Sequence, residues 1–246
     1  MHEPDIEVHD DAARIATAVA GELLRRLEAA QARGEVPQVV LTGGSIAARI
    51  HEELGRRGEG SDVDWSRVVF WWGDERYVAA DSDDRNARSA RTAFLDRVGV
   101  DPAHVHEAPA TDSGLSLEEA AATYGRELRE HGAGAFEVLM LGIGPDGHVA
   151  SLFPGHPALA VDDQVVVAVP DSPKPPPERV SLTFGALNRS RALWFVANGD
   201  EKADAVARAL AADGSVDATP ARGVVGLPDG GTAVTWFLDH AAASRL

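Results

Sequence analysis

Two kinds of apolar spacing divide this chain into alternating segments. In the first kind, apolar residues recur every three or four positions, as in Ile15, Val19, Leu23 and Leu27, which is the spacing of one buried helix face. This spacing predicts helices over residues 10–33, 45–58, 83–99, 116–132 and 200–212. In the second kind, apolar residues follow one another directly, which is typical of strands buried on both faces. These runs predict strands over residues 36–45, 66–78, 136–144, 164–169, 192–199 and 232–243, with a partly extended segment over 179–190.

Residues that start or interrupt elements support these boundaries. Asp10 or Asp11 can cap the first helix, and Ser116 and Glu119 have the spacing of a capping box. Residues 170–178 contain five prolines, which predicts a loop because proline lacks the backbone donor that helices and sheets use.

The alternation of strands and helices predicts an α/β fold: a mainly parallel sheet with helices on both faces. Residues 1–246 are predicted to form a single domain, since no internal repeat or long linker interrupts them. Ligands of such sheets bind in the crevice outside the carboxyl ends of the strands. Three glycine-bearing polar turns follow apolar strands, at residues 42–45, 72–76 and 142–148. A parallel sheet would bring all three turns to one edge, where we expect the functional site.

Composition excludes several classes of function. The chain contains no cysteine, so disulfides, thiolate metal sites and a cysteine nucleophile are excluded. Its formal net charge of −16 disfavours nucleic acid and anionic membranes as partners, so an anionic substrate would need a local cluster of cations. The N-terminus lacks the pattern of a signal peptide and no apolar run approaches the ~20 residues of a membrane span, which predicts a cytoplasmic protein. The oligomeric state stays open between a monomer and a homodimer.

The first turn, Thr42-Gly43-Gly44-Ser45, leads from a strand into a helix. Its free backbone N–H groups and the positive end of the helix dipole suit a phosphate, and the hydroxyls of Thr42 and Ser45 could add hydrogen bonds. The alternative is a tight turn in which Ser45 only caps the helix. The glycine spacing matches neither the Walker nor the dinucleotide pattern, so no ATP or NAD site is predicted.

The second turn places Asp74, Glu75 and Arg76 just past a strand. These charged residues either face a substrate or form a solvated loop with an internal ion pair. The neighbouring Trp71 and Trp72 are predicted to belong to the core rather than to stack on a ligand.

The third turn, in "GIGPDGH" (142–148), is the most specific signal in the chain. Its glycines permit close approach of the backbone to a ligand. Asp146 and His148 can point to the same side if the turn is extended. Histidine can then act as a general base while the carboxylate fixes its tautomer, although a capping Asp146 and a packed His148 are the alternative. Because the chain has no HxxxH pair and no GxSxG elbow, neither a zinc site nor a nucleophilic serine is predicted.

Two further cations complete the candidate site. Arg179 lies at the junction of the proline-rich segment and a strand, and Lys202 lies in the first turn of a predicted helix. The helix dipole disfavours a cation there unless an anion lies beside it, so Lys202 is either a phosphate ligand or a solvated lysine.

The motifs together resemble the 6-phosphogluconolactonase family over nearly the whole chain. The matching stretches, in order, are "LTGGS", "WWGDERYV" followed by "SDDRNARSARTAFLD", "LGIGPDGHVASLFPGHPAL" and "RVSLTFGALNRSRALWFVANGDEKADAV". The family is similar to the glucosamine-6-phosphate deaminases and shares their Rossmann-like fold. The resemblance implies hydrolysis of 6-phospho-D-glucono-1,5-lactone to 6-phosphogluconate, the second step of the oxidative pentose phosphate pathway, with neither a metal nor an organic cofactor.

The resemblance also implies roles for individual residues. His148 would be the general base that activates water, and Asp146 would support His148 or the sugar hydroxyls. Arg76 would face either the lactone carbonyl oxygen or the phosphate, and Asp74 would line the sugar. The phosphate would be held by Gly43, Gly44, Ser45, Arg179 and Lys202, with Thr42 in the same loop.

Two rival functions remain to be weighed. Glucosamine-6-phosphate deaminases carry a glutamate five residues after the matching histidine, where this chain has Phe153, and they read "DEY" where this chain has Asp74-Glu75-Arg76. Both departures favour the lactonase. A non-catalytic sugar-phosphate-binding module is the second rival, and the presence of Asp146, His148 and Arg76 speaks against it.

Overall fold

A six-stranded parallel sheet forms the centre of the protein, for which the computed structural model describes residues 4–228 and 230–246. Its strand order is β1-β9-β8-β5-β2-β3. The bounds are β1 Asp5–His9, β2 Gln38–Leu41, β3 Val69–Trp72, β5 Val138–Gly142, β8 Ala192–Ala197 and β9 Ala233–Asp239. The predicted parallel α/β architecture is confirmed.

The helices lie where the apolar spacing predicts them, except α6 (Phe184–Leu187), which falls in the segment 179–190 that was predicted as partly extended. Their bounds are α1 Ala12–Ala32, α2 Ser45–Gly58, α3 Asn86–Ala90, α4 Asp96–Val98, α5 Leu117–His131, α6 Phe184–Leu187 and α7 Ala203–Leu210. A π-helical stretch over Arg91–Leu95 joins α3 to α4, so the predicted helix over 83–99 is helical from Asn86 to Val98. Short 3-10 turns cover Trp65–Arg67, Pro102–His104, Thr111–Ser113, Pro157–Ala160, Asp200–Lys202 and Pro220–Gly223.

The predicted caps are present at α1 and α5. The Asp11 side chain accepts a hydrogen bond from the Arg14 backbone N–H at 2.8 Å. Ser116 accepts from the Glu119 backbone N–H at 3.2 Å, while the Glu119 carboxylate accepts from the Ser116 backbone N–H at 2.8 Å. Each helix therefore starts with one first-turn backbone donor satisfied by the side chain of its cap.

A second, three-stranded antiparallel sheet differs from the sequence prediction. Its order is β4-β7-β6, with β4 Asp74–Arg76, β6 Val166–Val169 and β7 Arg179–Leu182. The segment 66–78, predicted as one strand and a polar loop, instead divides at Gly73 between the two sheets. The polar residues after Gly73 form a strand because β7 supplies their backbone partners, with Arg76 opposite Arg179.

The apolar core lies on both faces of the main sheet. Neighbouring residues of a strand point to opposite faces, so Trp71 belongs to one core cluster and Trp72 to the other. Helices α1 and α2 cover one face, and α5 packs on the other. The prediction that both tryptophans belong to the core is confirmed. Among the helices of the described residues, none combines the length and apolar character that crossing a membrane requires.

Candidate active site

A cleft of about 320 Å³ opens at the carboxyl ends of β2, β5 and β8, a volume at the lower end of the range for ligand pockets. The second sheet and the proline-rich loop (residues 170–178) close it on one side. All but one of the ten predicted site residues line this cleft: Thr42, Gly43, Gly44, Ser45, Asp74, Arg76, His148, Arg179 and Lys202. The exception, Asp146, contacts His148. The topology therefore brings the predicted residues together.

The first turn ends strand β2 and opens helix α2. Gly44 is the N-cap of α2, with a φ of +98° that favours glycine, and no side chain caps this helix. Ser45 is the first helical residue, so the alternative in which Ser45 caps the helix is wrong. The unfilled backbone donors of the first turn carry the positive end of the helix dipole, which suits an anion.

Asn86 connects the first turn to the second. A Cβ atom on Gly43 would overlap the Asn86 amide, so only glycine lets that side chain pack against the loop. The Asn86 Nδ2 donates to the Asp74 carbonyl at 2.9 Å, and Arg76 donates to Asn86 Oδ1. No local sequence pattern marked Asn86 as a site residue, although it lies within the stretch "SDDRNARSARTAFLD" that carries the family resemblance.

Glu75 is an anchor rather than part of a solvated loop. Its side chain is buried, and its carboxylate accepts hydrogen bonds from the backbone N–H groups of Arg76, Asn86 and Ala87 at 2.8–2.9 Å. Burial raises the pKa of Glu75, although the charge of Arg85 and the backbone donors oppose that rise. The solvated-loop alternative is therefore wrong: Glu75 fixes the second turn to the start of α3.

Asp74, the first residue of β4, lies at the buried end of the cleft. Its Oδ2 accepts a hydrogen bond from the Ser151 hydroxyl at 2.6 Å and lies 3.8 Å from Nη1 of Arg179. Ser151 is fully buried and its proton is directed at Asp74, which agrees with the expectation that Ser151 is not a nucleophile.

Arg179 holds the proline-rich loop against the cleft. Its Nε donates to the Pro176 carbonyl at 3.1 Å, and its Nη2 donates to the carbonyls of Lys174 and Pro175 at 3.2 Å. Burial lowers the pKa of Arg179, and the neighbouring Asp74 carboxylate opposes this shift. A guanidinium remains protonated under such conditions, so Arg179 supplies a buried positive charge at the cleft wall.

The third turn is tight rather than extended, contrary to the condition stated from the sequence. The Gly147 N–H donates to the Gly144 carbonyl at 2.8 Å, and the Gly144 N–H donates to the His148 carbonyl at 2.9 Å. Gly147 has a φ of +91°. The two side chains nevertheless meet, with His148 Nδ1 2.5 Å from Asp146 Oδ1. A closed turn therefore pairs them as well as an extended one would.

The short contact between His148 and Asp146 determines the state of the imidazole. Burial of the Asp146 carboxyl group disfavours its charge, but the hydrogen bond and charge of His148 and the charge of Lys174 outweigh burial and hold the pKa of Asp146 below its usual value. An ionised carboxylate only accepts hydrogen bonds, so Nδ1 carries the proton. In the neutral imidazole this tautomer leaves the lone pair on Nε2, which has no hydrogen-bond partner among the described residues.

Lys202 ends the 3-10 turn that precedes α7. It is half-buried, and burial lowers the pKa of its ammonium group, while Glu201 opposes the shift and Lys174 adds to it. Lys202 lines the same cleft as His148 and Arg179, which is the convergence that the sequence analysis predicted. Lys174 also lines this cleft, although the sequence analysis gave it no role.

The fold and the site define a class of protein: α/β enzymes whose cleft accepts a small phosphorylated, hydroxyl-rich molecule. An uncapped helix N-terminus and several cations suit the phosphate, and a histidine oriented by a carboxylate can transfer a proton. Among the described residues, no group of three or more histidine, aspartate and glutamate side chains is arranged to hold a metal ion.

Comparison with known proteins identifies the family. A family model described as glucosamine-6-phosphate isomerases/6-phosphogluconolactonase matches residues 10–236. A 6-phosphogluconolactonase of Streptomyces coelicolor is 42% identical over an alignment of 252 positions, which covers 99% of this chain and 95% of that protein. A 6-phosphogluconolactonase of Mycobacterium leprae is 41% identical over an alignment of 248 positions, which covers 98% of both chains. This chain therefore belongs to the glucosamine-6-phosphate isomerase/6-phosphogluconolactonase family, as the motifs predicted.

Solved structures agree with this assignment. The crystal structure of a 6-phosphogluconolactonase from Thermotoga maritima is 30% identical and superposes with a TM-score of 0.83, covering 96% of this chain and 99% of that chain. A monomeric glucosamine-6-phosphate deaminase superposes with a TM-score of 0.81 at 17% identity, covering 98% of this chain and 100% of that chain. The likeness to the deaminase shows the shared fold alone.

Proposed function

We propose that this protein hydrolyses 6-phospho-D-glucono-1,5-lactone to 6-phospho-D-gluconate, the second step of the oxidative pentose phosphate pathway, with His148 as the general base. The relatives in Streptomyces coelicolor and Mycobacterium leprae are named for this activity. The observation that carries the role of His148 is its 2.5 Å contact with Asp146, which leaves Nε2 free in a cleft lined with cations.

In the first step, a water molecule at Nε2 of His148 attacks C1 of the lactone. The water proton passes to Nε2, and the carbonyl oxygen takes up the negative charge of the tetrahedral intermediate. The Asp146 carboxylate offsets the positive charge that forms on the imidazole. One positioned base contributes about 10²–10⁴-fold, which is a substantial share of what is needed because a δ-lactone already opens in water.

In the second step, the intermediate collapses and the bond between C1 and the ring oxygen breaks. The ring oxygen takes the proton from the imidazolium of His148 and becomes the C5 hydroxyl group. The carbonyl re-forms as part of a carboxylic acid, which ionises, and His148 returns to its neutral form. No covalent intermediate is needed, so neither Ser45 nor Ser151 acts as a nucleophile.

The phosphate binds at the opposite end of the cleft from the reacting carbon. Backbone donors of the turn at residues 42–45 face it together with Arg179 and Lys202, all of which line the cleft. An anion beside Lys202 would offset the cost of burying its ammonium group. Phosphate binding orients the lactone without touching the reacting bonds. Asp74, at the buried end, accepts hydrogen bonds from the sugar hydroxyls.

We propose that Arg76 contacts the phosphate rather than the lactone carbonyl oxygen. Arg76 donates to Asn86, and Asn86 packs against Gly43 of the first turn. Arg76 also lies opposite Arg179 across the β4–β7 pair. Both neighbours belong to the phosphate end rather than to His148.

The deaminase reaction suits this cleft less well. Opening an amino sugar and moving protons between carbons needs further acid–base groups near the histidine. Here the position five residues after His148 is Phe153, whose buried ring lies 4.6 Å from the imidazole and cannot transfer a proton. The pocket around His148 therefore favours a single base and a water molecule.

The test compares two substrates with one enzyme preparation. Lactone hydrolysis is followed above its spontaneous rate, and ammonia release from glucosamine 6-phosphate is measured in parallel. We expect lactone hydrolysis and no ammonia release. Ammonia release without lactone hydrolysis would overturn the proposal in favour of the deaminase, and tight binding of 6-phosphogluconate without turnover of either substrate would identify a sugar-phosphate-binding module.

A further inference from the structure

Lys174 lies beside the proposed catalytic pair. Its Nζ is 3.3 Å from His148 Nδ1 and 3.7 Å from Asp146 Oδ1, and its side chain lines the cleft. Lys174 is one of only two lysines in the chain, the other being Lys202. The mechanism described above gives it no task.

The geometry decides what the ammonium group of Lys174 interacts with. If Lys174 donated to Nδ1, that nitrogen would present a lone pair to the Asp146 carboxylate at 2.5 Å, and two acceptors would repel each other. Nδ1 therefore carries a proton that it donates to Asp146. The partner of the ammonium group is the carboxylate, whose Oδ1 is shared between His148 and Lys174.

The proline-rich loop fixes the backbone that carries Lys174. The Lys174 carbonyl accepts hydrogen bonds from Arg179 Nη2 at 3.2 Å and from the Ser172 hydroxyl at 3.1 Å. Its N–H donates to the Ser172 hydroxyl at 3.3 Å. The arginine proposed to hold the phosphate thus also holds the backbone that presents Lys174 to the catalytic pair.

Several charged groups face the imidazole. Asp146 lies on the same turn as His148, and Lys174 approaches from the proline-rich loop. Lys202 lines the same cleft and interacts electrostatically with both Asp146 and Lys174. Arg179 lies 5.8 Å from the centre of the Phe153 ring, which separates it from the imidazole. Among the cations of the described residues, Lys174 is the one in direct contact with the pair.

We propose that Lys174 is a positioning residue that holds the Asp146 carboxylate against His148. Its charge also keeps the imidazole neutral, and so able to act as a base, down to a lower pH than in a protein without Lys174. This inference rests on the proposed function. The ammonium group opposes a second positive charge on the resting imidazole, because like charges at this separation repel. Its contact with Oδ1 restrains the carboxylate that orients the ring.

The test measures kcat/KM for lactone hydrolysis against pH in Lys174→Met and Lys174→Arg. In Lys174→Met we expect the acidic limb to move upward by about half to one pH unit, a modest shift because the Lys174 side chain is 41% exposed and screened by water. KM is expected to stay near the wild-type value. Lys174→Arg keeps the charge and should restore the limb. Arg56→Met, which removes a charge from a 70% exposed side chain on α2, is the matched control.

A second readout does not depend on activity. The imidazole of His148 is titrated by NMR in the wild type and in Lys174→Met, with His148→Ala identifying its signal, and the midpoint should rise by the same amount in the variant. The proposal would be overturned if the acidic limb of kcat/KM and the NMR midpoint of His148 were both unchanged in Lys174→Met. It would also be overturned by a raised KM with an unmoved acidic limb, which would make Lys174 a substrate contact only. If the wild type lacked lactonase activity, the proposed function would fail while the titration still decided the role of Lys174.

Discussion

Replacing Gly144 by alanine provides a test of the catalytic geometry without removing any catalytic group. A Cβ atom at this position would lie 2.0 Å from His148 Nδ1 and 2.4 Å from Asp146 Oδ1. The φ of Gly144 lies outside the left-handed region, so alanine costs little backbone strain there. The imidazole and the carboxylate must therefore move, by more than about 1 Å if they are to reach an ordinary van der Waals distance.

A displacement of this size has a known scale of effect on catalysis. A 1 Å misplacement of a reacting group can lower the rate about 10²-fold, and the whole contribution of a general base is about 10²–10⁴-fold. We therefore expect Gly144→Ala to lower kcat for lactone hydrolysis by about 10²-fold or more. KM should change little, because the phosphate end of the cleft is untouched.

The assay compares kcat and the thermal unfolding midpoint of Gly144→Ala with those of Gly185→Ala. A Cβ atom on Gly185 would lie 3.7 Å from the nearest atom, Thr183 Oγ1, so that variant controls for the exchange of glycine for alanine in a position with room. If Gly144→Ala kept kcat within about threefold of the wild type, the imidazole would not need its present position and the reasoning would be refuted.

Three further predictions concern the opposite end of the cleft. Arg179→Ala should raise KM for the lactone by at least about tenfold, because a charged hydrogen bond to the phosphate is lost. A KM unchanged from the wild type would show that Arg179 does not bind the phosphate. Asn86→Ala should also raise KM, because Arg76 loses the side chain that holds it. Asn188→Ala is the control at a distant amide, and equal KM values in the two variants would contradict the link between Arg76 and the first turn. Because burial lowers the pKa of Lys202, its charge should be lost at lower pH than that of an ordinary lysine, so calorimetric affinity for 6-phosphogluconate should fall as pH rises. Lys202→Arg should abolish that fall, and an identical pH dependence in both proteins would show that Lys202 does not bind the phosphate.

The sequence predicted the location of the site because topology alone determines it. Three strands that end in glycine-bearing turns must present those turns at one edge of a parallel sheet, and the cleft lies there. The apolar spacing predicted most elements for the same reason, since buried faces leave a clear pattern. Strand β1, at the edge of the sheet, was missed because Ile6 and Val8 are largely exposed and their segment lacks an apolar run.

What the sequence did not predict depends on contacts between distant segments. The polar residues Asp74 to Arg76 form a strand because β7 supplies partners more than a hundred residues away in the chain. Asn86 and Lys174 reach the cleft through a helix start and a proline-rich loop whose positions are set by Glu75 and Arg179. No local pattern encodes such placements.

The central claim is that His148, held by Asp146, is the base that activates water. The most direct measurement is kcat for lactone hydrolysis, above the spontaneous rate, in His148→Ala and the wild type at the same pH. We expect a loss of about 10²-fold or more, with an unchanged thermal unfolding midpoint and an unchanged affinity for 6-phosphogluconate. A folded His148→Ala variant that hydrolyses the lactone within about threefold of the wild-type rate would contradict the claim.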